Sequence, residues 1–287
     1  MRSWLFVPAD SERKIEKAFT TAADVVILDL EDSVAPSRKA FARDCVVAAA
    51  RTAPARTAIR INPLASADVA ADIAAVAAAA PAFIVLPKAA GGQSIGELSA
   101  RLSVAEAEVG LADGAIRIMA IVTETAASLF TLGTYAGASK RLAAMGWGAE
   151  DLSTALGAAR SRETDGRLTG AFAMARMLTL AGAHAAGAAP LDAVFTALGD
   201  EAGLRAECEA AAADGFAGKM AIHPAQVPVI NAAFTPDAEA VGAARRIVAA
   251  FAADPDAGVL SLDGRMVDRP HLANAERLLA RAKALGG

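Results

Sequence analysis

Eight short apolar segments alternating with helical spans predict an α/β chain closed as a (β/α)8 TIM barrel, with a C-terminal helical and hairpin extension. Three observations carry this expectation. The alternation runs for roughly 225 residues, which matches eight strand-helix repeats better than a doubly wound open sheet. Charged residues gather at or just after the C-terminal ends of the strands, namely Asp29, Glu31, Asp32, Arg60, Lys88, Glu124, Asp151 and His223. A barrel brings those ends into one ring, where barrel active sites lie. After His223-Pro224 the repeat stops and the pattern changes. The expected division is a catalytic barrel over 1–228 and an extension over 229–287.

The elements follow in order. Ser3 to Pro8 reads as a strand closed by proline, and Asp10 and Ser11 suit the cap of the helix that follows. Val25 to Leu30 is a buried strand, Ser37 to Arg51 a helix, and Ala58 to Ile61 a strand ending at Asn62-Pro63. Ala67 to Ala80 is helical and Phe83 to Leu86 a strand ending at Pro87-Lys88, followed by a helix from Ser94 to Val109. Ile116 to Thr123 is too short for a helix and rich in Ile and Val, so it reads as a parallel strand buried on both faces. Leu142 to Trp147 repeats that pattern, and Ala126 to Arg141 has the length of one crossover helix between them. Asp165 to Ala185 is helical, Leu191 to Leu198 a strand, Gly203 to Asp214 a helix and Lys219 to Ile222 the eighth strand. In the extension, Thr235-Pro236-Asp237 caps a helix to Ala253. Gly258 to Val267 forms a hairpin turning at Asp263-Gly264, and His271 to Leu285 is the last helix.

Composition narrows the function classes. With 55% hydrophobic and 21% charged residues the chain can bury a large core. A net charge of −4 without a basic run leaves no footprint for nucleic acid. Cys45 and Cys208 have no CxxC partner and read as small core residues of a reducing compartment. No window reaches the ~18 uninterrupted apolar residues of a membrane span. The expected setting is the cytoplasm. No G-x-G-x-x-G follows the first strand, so the dinucleotide fingerprint is absent.

Glu124 and Asp151 lie 27 residues apart, about one strand-helix-strand unit, which sets both at the same edge of neighbouring strands. Two carboxylates placed there suit a divalent cation with oxygen ligands. The alternative is that both are ordinary solvated loop acids.

Arg2-Ser3-x-Leu5-Phe6-Val7-Pro8 and Leu28-Asp29-Leu30-Glu31-Asp32-Ser33-Val34 open a series of blocks. It continues through Arg60-Ile61-Asn62, Leu86-Pro87-Lys88, Thr123-Glu124-Thr125, Gly148-Ala149-Glu150-Asp151-Leu152, Lys219-Met220-Ala221-Ile222-His223-Pro224 and Gly264-Arg265-Met266-Val267-Asp268-Arg269-Pro270. In content and order these resemble the citrate lyase β-subunit-like family, grouped with the malyl-CoA and citramalyl-CoA lyases among the HpcH/HpaI aldolases. The resemblance implies Mg2+, with Mn2+ as a substitute, on Glu124 and Asp151. It also implies cleavage or formation of a 3-hydroxy-carboxyacyl-CoA, with acetyl-CoA and a 2-oxo acid as the other partners. Arg60 is the candidate to face the thioester enolate, since a guanidinium stays charged and forks to two oxygens; its alternative is a salt bridge to Asp29 or Glu31. By the same resemblance Asp268 exchanges the proton with the enolate carbon, supplied to a neighbouring subunit of a trimer or hexamer. Capping the last helix is its other reading.

Asp29, Glu31 and Asp32 are expected to orient Arg60 or metal-bound water. Arg13 and Lys17 are candidates for the CoA phosphates, Phe6 for the thioester channel, and Ile222 and His223 for the pantetheine arm. A Schiff base on Lys88 is redundant beside a metal pair. One departure stands out: Ala9 follows Val-Pro where the family often has glycine, a change that a negative φ would accommodate. Two other activities use the same residues. One is a malyl-CoA-type thioesterase, and the other is a citrate lyase β subunit acting on a carrier-protein thioester. A catalytically silent scaffold is disfavoured, because every expected charged position is filled.

Overall fold

A computed structural model describes residues 1–286. Eight parallel strands close into a barrel in sequence order: β1 (Ser3–Pro8), β2 (Val25–Asp29), β3 (Thr57–Arg60), β4 (Phe83–Leu86), β5 (Arg117–Ile121), β6 (Leu142–Gly146), β7 (Ala189–Asp192) and β8 (Gly218–Ala221). Closure comes from β1 against β8, with Ser3 beside Lys219 and Leu5 beside Ala221. The strands are short and buried, as expected where side chains fill one side and helices cover the other. Trp4, Ile27, Phe83, Val85, Met119, Leu191 and Met220 form part of the apolar core. The Trp4 and Phe83 rings meet at 4.9 Å with a 59° tilt, a favourable aromatic geometry. Around the barrel lie α1 (Glu12–Phe19), α2 (Lys39–Ala50), α3 (Val69–Ala79), α4 (Gly92–Glu108), α5 (Ala149–Leu156), α6 (Gly170–Ala186), α7 (Glu201–Asp214) and α8 (Gln226–Ala233).

Four expectations need correction. The predicted crossover helix from Ala126 to Arg141 is instead a 3-10 stretch over Ala127–Tyr135. The Ser128, Thr131 and Thr134 hydroxyls donate to the carbonyls of Thr125, Ser128 and Thr131 at 2.6, 2.9 and 2.6 Å. A hydroxyl every third residue, each bonded one turn back, supports three residues per turn rather than 3.6. The seventh strand ends at Asp192, not Leu198, because Asp192 turns into buried bonds with Trp147 and Lys219 and the chain leaves the sheet. The helix expected from Asp165 starts at Gly170, after Arg162 and Leu168 have paired across a turn. Two short helices, α5 and α8, occupy stretches to which the sequence assigns no element. Ser11 occupies the start of α1 without a side-chain cap bond. Ala9 is buried and is not among the non-glycine residues with positive φ, so the loop after β1 accepts its methyl group.

The chain divides into two compact units, Met1–Asn231 and the residues from Ala232 onward. In the second, α9 (Ala238–Ala253) and α10 (Arg269–Ala284) pack together, and β9 (Val259–Leu262) pairs antiparallel with β10 (Arg265–Asp268). Asp263 and Gly264 turn that hairpin with φ of 50° and 75°, the left-handed pair that a two-residue turn needs. Asp237 caps α9 by accepting the Ala240 N–H at 2.7 Å. No described helix is long and apolar enough to cross a membrane.

Candidate active site

At the C-terminal ends of the strands a cavity of about 340 Å³ opens among Phe6, Asp29, Arg60, Glu124, Trp147, Asp151 and Ile222, with further apolar lining from Ile121, Val194 and Met220. The register of β2 and β3 puts Asp29 directly beside Arg60. Arg60 therefore forks onto it, Nε to Oδ1 at 2.6 Å and Nη2 to Oδ2 at 2.7 Å. The remaining nitrogen, Nη1, lies 2.8 Å from Glu31 Oε2, and the guanidinium sits 4.9 Å from the Phe6 ring centroid. The salt bridges to Asp29 and Glu31 are thus present, and the charged group they fix is also among the residues that line the cavity. Asp29 accepts the backbone N–H of Glu31 and Ser33 as well. Burial would raise its pKa, but the bonds from Arg60 hold it below the usual carboxylate range. Glu31 goes the other way, since burial outweighs the nearby Arg60 and Lys88 charges.

Lys88 follows Pro87 with φ of 49°, a left-handed backbone that β-carbon-bearing residues rarely adopt. That turn points its backbone N–H at Glu124 Oε2, at 2.5 Å. Its ammonium lies 2.6 Å from Glu31, 3.4 Å from Asp32 and 3.6 Å from Asp151. Despite partial burial, the Glu31 carboxylate raises its pKa above the ordinary value, which keeps the amine protonated and unsuited to attack a carbonyl. Glu124 is 4% exposed, and among the described residues the Lys88 N–H is its one hydrogen-bond donor. Burial, reinforced by the charges of Glu31 and Asp151, pushes its carboxyl up to about 8. Gly148 is required beside it: a β-carbon there would stand 2.9 Å from Glu124 Cγ. Asp151 lies in the first turn of α5 rather than on the strand end itself.

The donor set fits magnesium. Among the described residues Asp29, Glu31, Asp32, Glu124 and Asp151 share only Arg60 and Lys88 as cations, and Glu124 is short of donors. Among the described residues no three potential ligands of the His, Cys, Asp or Glu type gather around one point. A pair of carboxylates with room for water and substrate oxygens is the arrangement magnesium tolerates and zinc does not need.

Other expected residues lie outside this cavity. Arg13 and Lys17 are exposed on α1 and do not line it. His223 is exposed, accepts the Ala225 N–H on its own Nδ1, and is not part of the lining either. Its neighbour Ile222 is. Asp32 is largely solvated, with Lys88 its nearest partner. In the second unit Asp268 caps α10: its carboxylate accepts the His271 N–H at 3.4 Å and meets the His271 ring at 2.5 Å. The bond from His271 lowers its pKa. A proton donor near neutrality would need the opposite shift.

Sequence reading passed over Lys39. Its ammonium is buried and donates to Leu30 O at 2.6 Å, Glu31 O at 2.9 Å and Asn62 Oδ1 at 2.7 Å. It thereby ties the loop that carries Glu31 to the loop that follows Arg60. Its signal was spacing: Lys39 shares the inward stripe of α2 with Ala42, Val46 and Ala50, a poor place for a solvated lysine.

Comparison with known proteins places this geometry. The family model described as HpcH/HpaI aldolase/citrate lyase matches residues 2–224. The chain belongs to that family. A citrate lyase subunit beta-like protein of Mycobacterium tuberculosis is 40% identical over 279 residues, covering 97% of this chain and 94% of that one. A (3S)-malyl-CoA thioesterase of Cereibacter sphaeroides is 36% identical over 289 residues, covering 99% and 95%. The crystal structure of the protein CitE from Mycobacterium tuberculosis, in complex with magnesium, acetoacetate and coenzyme A, superposes with a TM-score of 0.82 at 38% identity over 98% of each chain. As an HpcH/HpaI aldolase/citrate lyase chain, the molecule is an enzyme of a lyase family, and its TIM barrel is that of its relatives.

Proposed function

We propose that this HpcH/HpaI-family enzyme is a Mg2+-dependent carbon–carbon lyase. Its substrate would be a 3-hydroxy-carboxyacyl-CoA such as malyl-CoA or citramalyl-CoA, split into or made from acetyl-CoA and a 2-oxo acid. The observation that carries the reading is the pairing, in one cavity, of a donor-starved Glu124 and Asp151 with a forked, permanently charged Arg60. Glu124 and Asp151 would hold the ion, which when bound supplies Lewis-acid polarisation of substrate oxygens.

Arg60 offers a fixed cation to the negative charge that develops on the thioester oxygen as the carbon–carbon bond breaks. Asp29 and Glu31 keep its plane and position from shifting, so little reorganisation is needed at the moment of reaction. Lys88 offsets the carboxylates around Glu31 and aims its own N–H at Glu124, steadying that ligand. The acetyl carbon exchanges its proton with Asp268 of a neighbouring chain, which makes the working enzyme a homo-oligomer, a trimer or hexamer. Ionised by its His271 contact, Asp268 is set to take that proton in the condensation direction. Both cysteines are free, in keeping with the cytoplasm.

A relative that is a malyl-CoA thioesterase favours a second reading, hydrolysis at the same site. Turnover of malyl-CoA and citramalyl-CoA with Mg2+, following 2-oxo acid and free thiol together, separates the two. Oxo acid without thiol is the expected result. Thiol without oxo acid assigns hydrolysis. Neither product, with Mg2+ still bound, overturns the CoA reading in favour of a carrier-protein thioester.

A further inference from the structure

Asp151 stands on weaker footing than Glu124. Glu124 is buried just past β5 and accepts the Lys88 N–H. Asp151 rides on α5, an eight-residue helix in which, among the described residues, Leu152 alone is buried. Thr154 to Gly157 are exposed. A helix this short does not hold itself in water, so its place is set by the chain on either side. We propose that Lys219 is a positioning residue for Asp151: one buried ammonium anchors both flanks of α5 and so fixes where this carboxylate offers its oxygens to Mg2+. The inference rests on the reading of Asp151 as a metal ligand.

Strand alternation assembles the anchor. On β8 Met220 points into the barrel core, which turns Lys219 outward toward α7. On β7 Leu191 is in the core and Asp192 faces outward in the same way. A β-carbon at Gly146 would meet Met119 and Met220 inside the barrel, so the next residue, Trp147, turns out as well. Pairing of β6 with β7 and of β7 with β8 brings the three together behind the barrel wall, where all are buried. Ahead of α5, Trp147 Nε1 donates to Asp192 Oδ1 at 2.7 Å, and Asp192 Oδ2 accepts from Lys219 at 2.9 Å. Arg176 Nε adds a second cation to Asp192 at 3.2 Å. Behind α5, Arg162 on the loop 158–169 meets Glu207 Oε2 at 2.6 Å, and Glu207 Oε1 accepts from Lys219 at 2.7 Å. Arg162 Nη1 also donates to Gly166 O at 2.9 Å, so the loop folds around the residue that ties it down. Away from water these charged bonds are stronger than at the surface. Magnesium demands near-octahedral geometry, so a small drift of one ligand is felt in its affinity.

The test combines calorimetric Mg2+ binding with hydrogen exchange of the α5 amides in the metal-free protein. Lys219→Met releases both flanks and should weaken Mg2+ binding about tenfold or more, with faster exchange across α5. Arg162→Gln and Trp147→Phe release one flank each and should show about half that effect on a logarithmic scale, about threefold. The Arg162 pair is partly exposed, so Arg162→Gln stands in if Lys219→Met does not fold. Arg162→Lys keeps the charge and should restore most of the affinity. Asp151→Asn in the same assay should abolish binding. A folded Arg162→Gln protein with wild-type Mg2+ affinity, or with wild-type exchange across α5, would overturn the role of Lys219, and loss of the ion in Asp151→Asn would then leave the ligand reading standing. An Asp151→Asn protein that binds Mg2+ as wild type does overturns the ligand reading and this inference with it.

Discussion

Two buried glutamates, Glu106 and Glu124, are treated in opposite ways by the same barrel. Glu106, on α4, accepts the N–H groups of Gly114 and Ile116 and two nitrogens of Arg141, at 2.9, 2.8, 2.8 and 2.6 Å. Against the upward push of burial, the Arg141 bonds hold its pKa below the ordinary value. Glu124 has one backbone donor, and burial pushes its pKa to about 8. The contrast separates a carboxylate used to join elements from the one proposed above as a ligand of the cation. Structure satisfies the first and leaves the second short of donors.

The sharpest way to break the comparison is to remove each charge. Glu106→Ala leaves the Arg141 guanidinium buried without its main partner and should cost about 3–5 kcal/mol, read by denaturant unfolding. Turnover per folded molecule should stay unchanged. Glu124→Gln should do the reverse, abolishing Mg2+ binding and turnover while leaving the unfolding midpoint equal or higher, because it replaces a buried carboxyl, whose ionisation opposes folding, with a neutral amide of the same shape. A Glu124→Gln protein that retains Mg2+ affinity would sink the assignment of this residue as a ligand.

Titration gives the next contrast. Below about pH 8 the Glu124 carboxyl carries a proton that the metal must displace, so Mg2+ affinity should fall about tenfold per pH unit from 8 toward 6. In the metal-free protein ionisation of Glu124 opposes folding: its contribution is intact below the ordinary value of 4.5 and is lost as pH rises through about 8. Glu106 works the other way, contributing above 4.5 and losing that contribution as pH falls through its lowered value. Calorimetric titrations of Mg2+ at several pH values, with proton release measured in two buffers, check the first claim. A pH-independent affinity would contradict it.

A smaller effect is expected at Lys39. Lys39→Met removes the tether between the Glu31 and Asn62 loops and should lower kcat several-fold, about 1 kcal/mol in the barrier, with KM less affected. Lys39→Arg should restore part of the loss, which loss of stability alone would not explain.

The strands and the charged ring were legible because buried parallel strands are short apolar runs and because glycine, proline or a charge punctuates each end. Arg60 and Glu124 could be placed by that rule, whereas Asp151 lies beyond the strand end, in the first turn of α5. The region between β5 and β6 could not. Its length suits a helix, and only the three-residue spacing of Ser128, Thr131 and Thr134 betrays the tighter turn. Ala193 to Leu198 reads as more strand, since nothing apolar there shows that Asp192 has already turned inward to meet Lys219. Lys39 is flagged by its place in the inward stripe of α2, but its partners, the Leu30 and Glu31 carbonyls and Asn62, lie on other loops and cannot be read from that spacing.

The closure of β1 on β8 has a consequence for how the molecule is made. The edge of β1 that pairs with Lys219, Met220 and Ala221 has no partner until those residues have left the ribosome. Ser3 also waits for Asn231, which its hydroxyl meets at 2.7 Å. At the seam Gly218 lies so close to Arg2 that a β-carbon would fall 2.3 Å from its carbonyl oxygen, so the final strand enters a slot shaped before it arrives. An unpaired edge of apolar sequence therefore persists through most of synthesis, and the nascent chain, more than the finished enzyme, is the species in need of a chaperone.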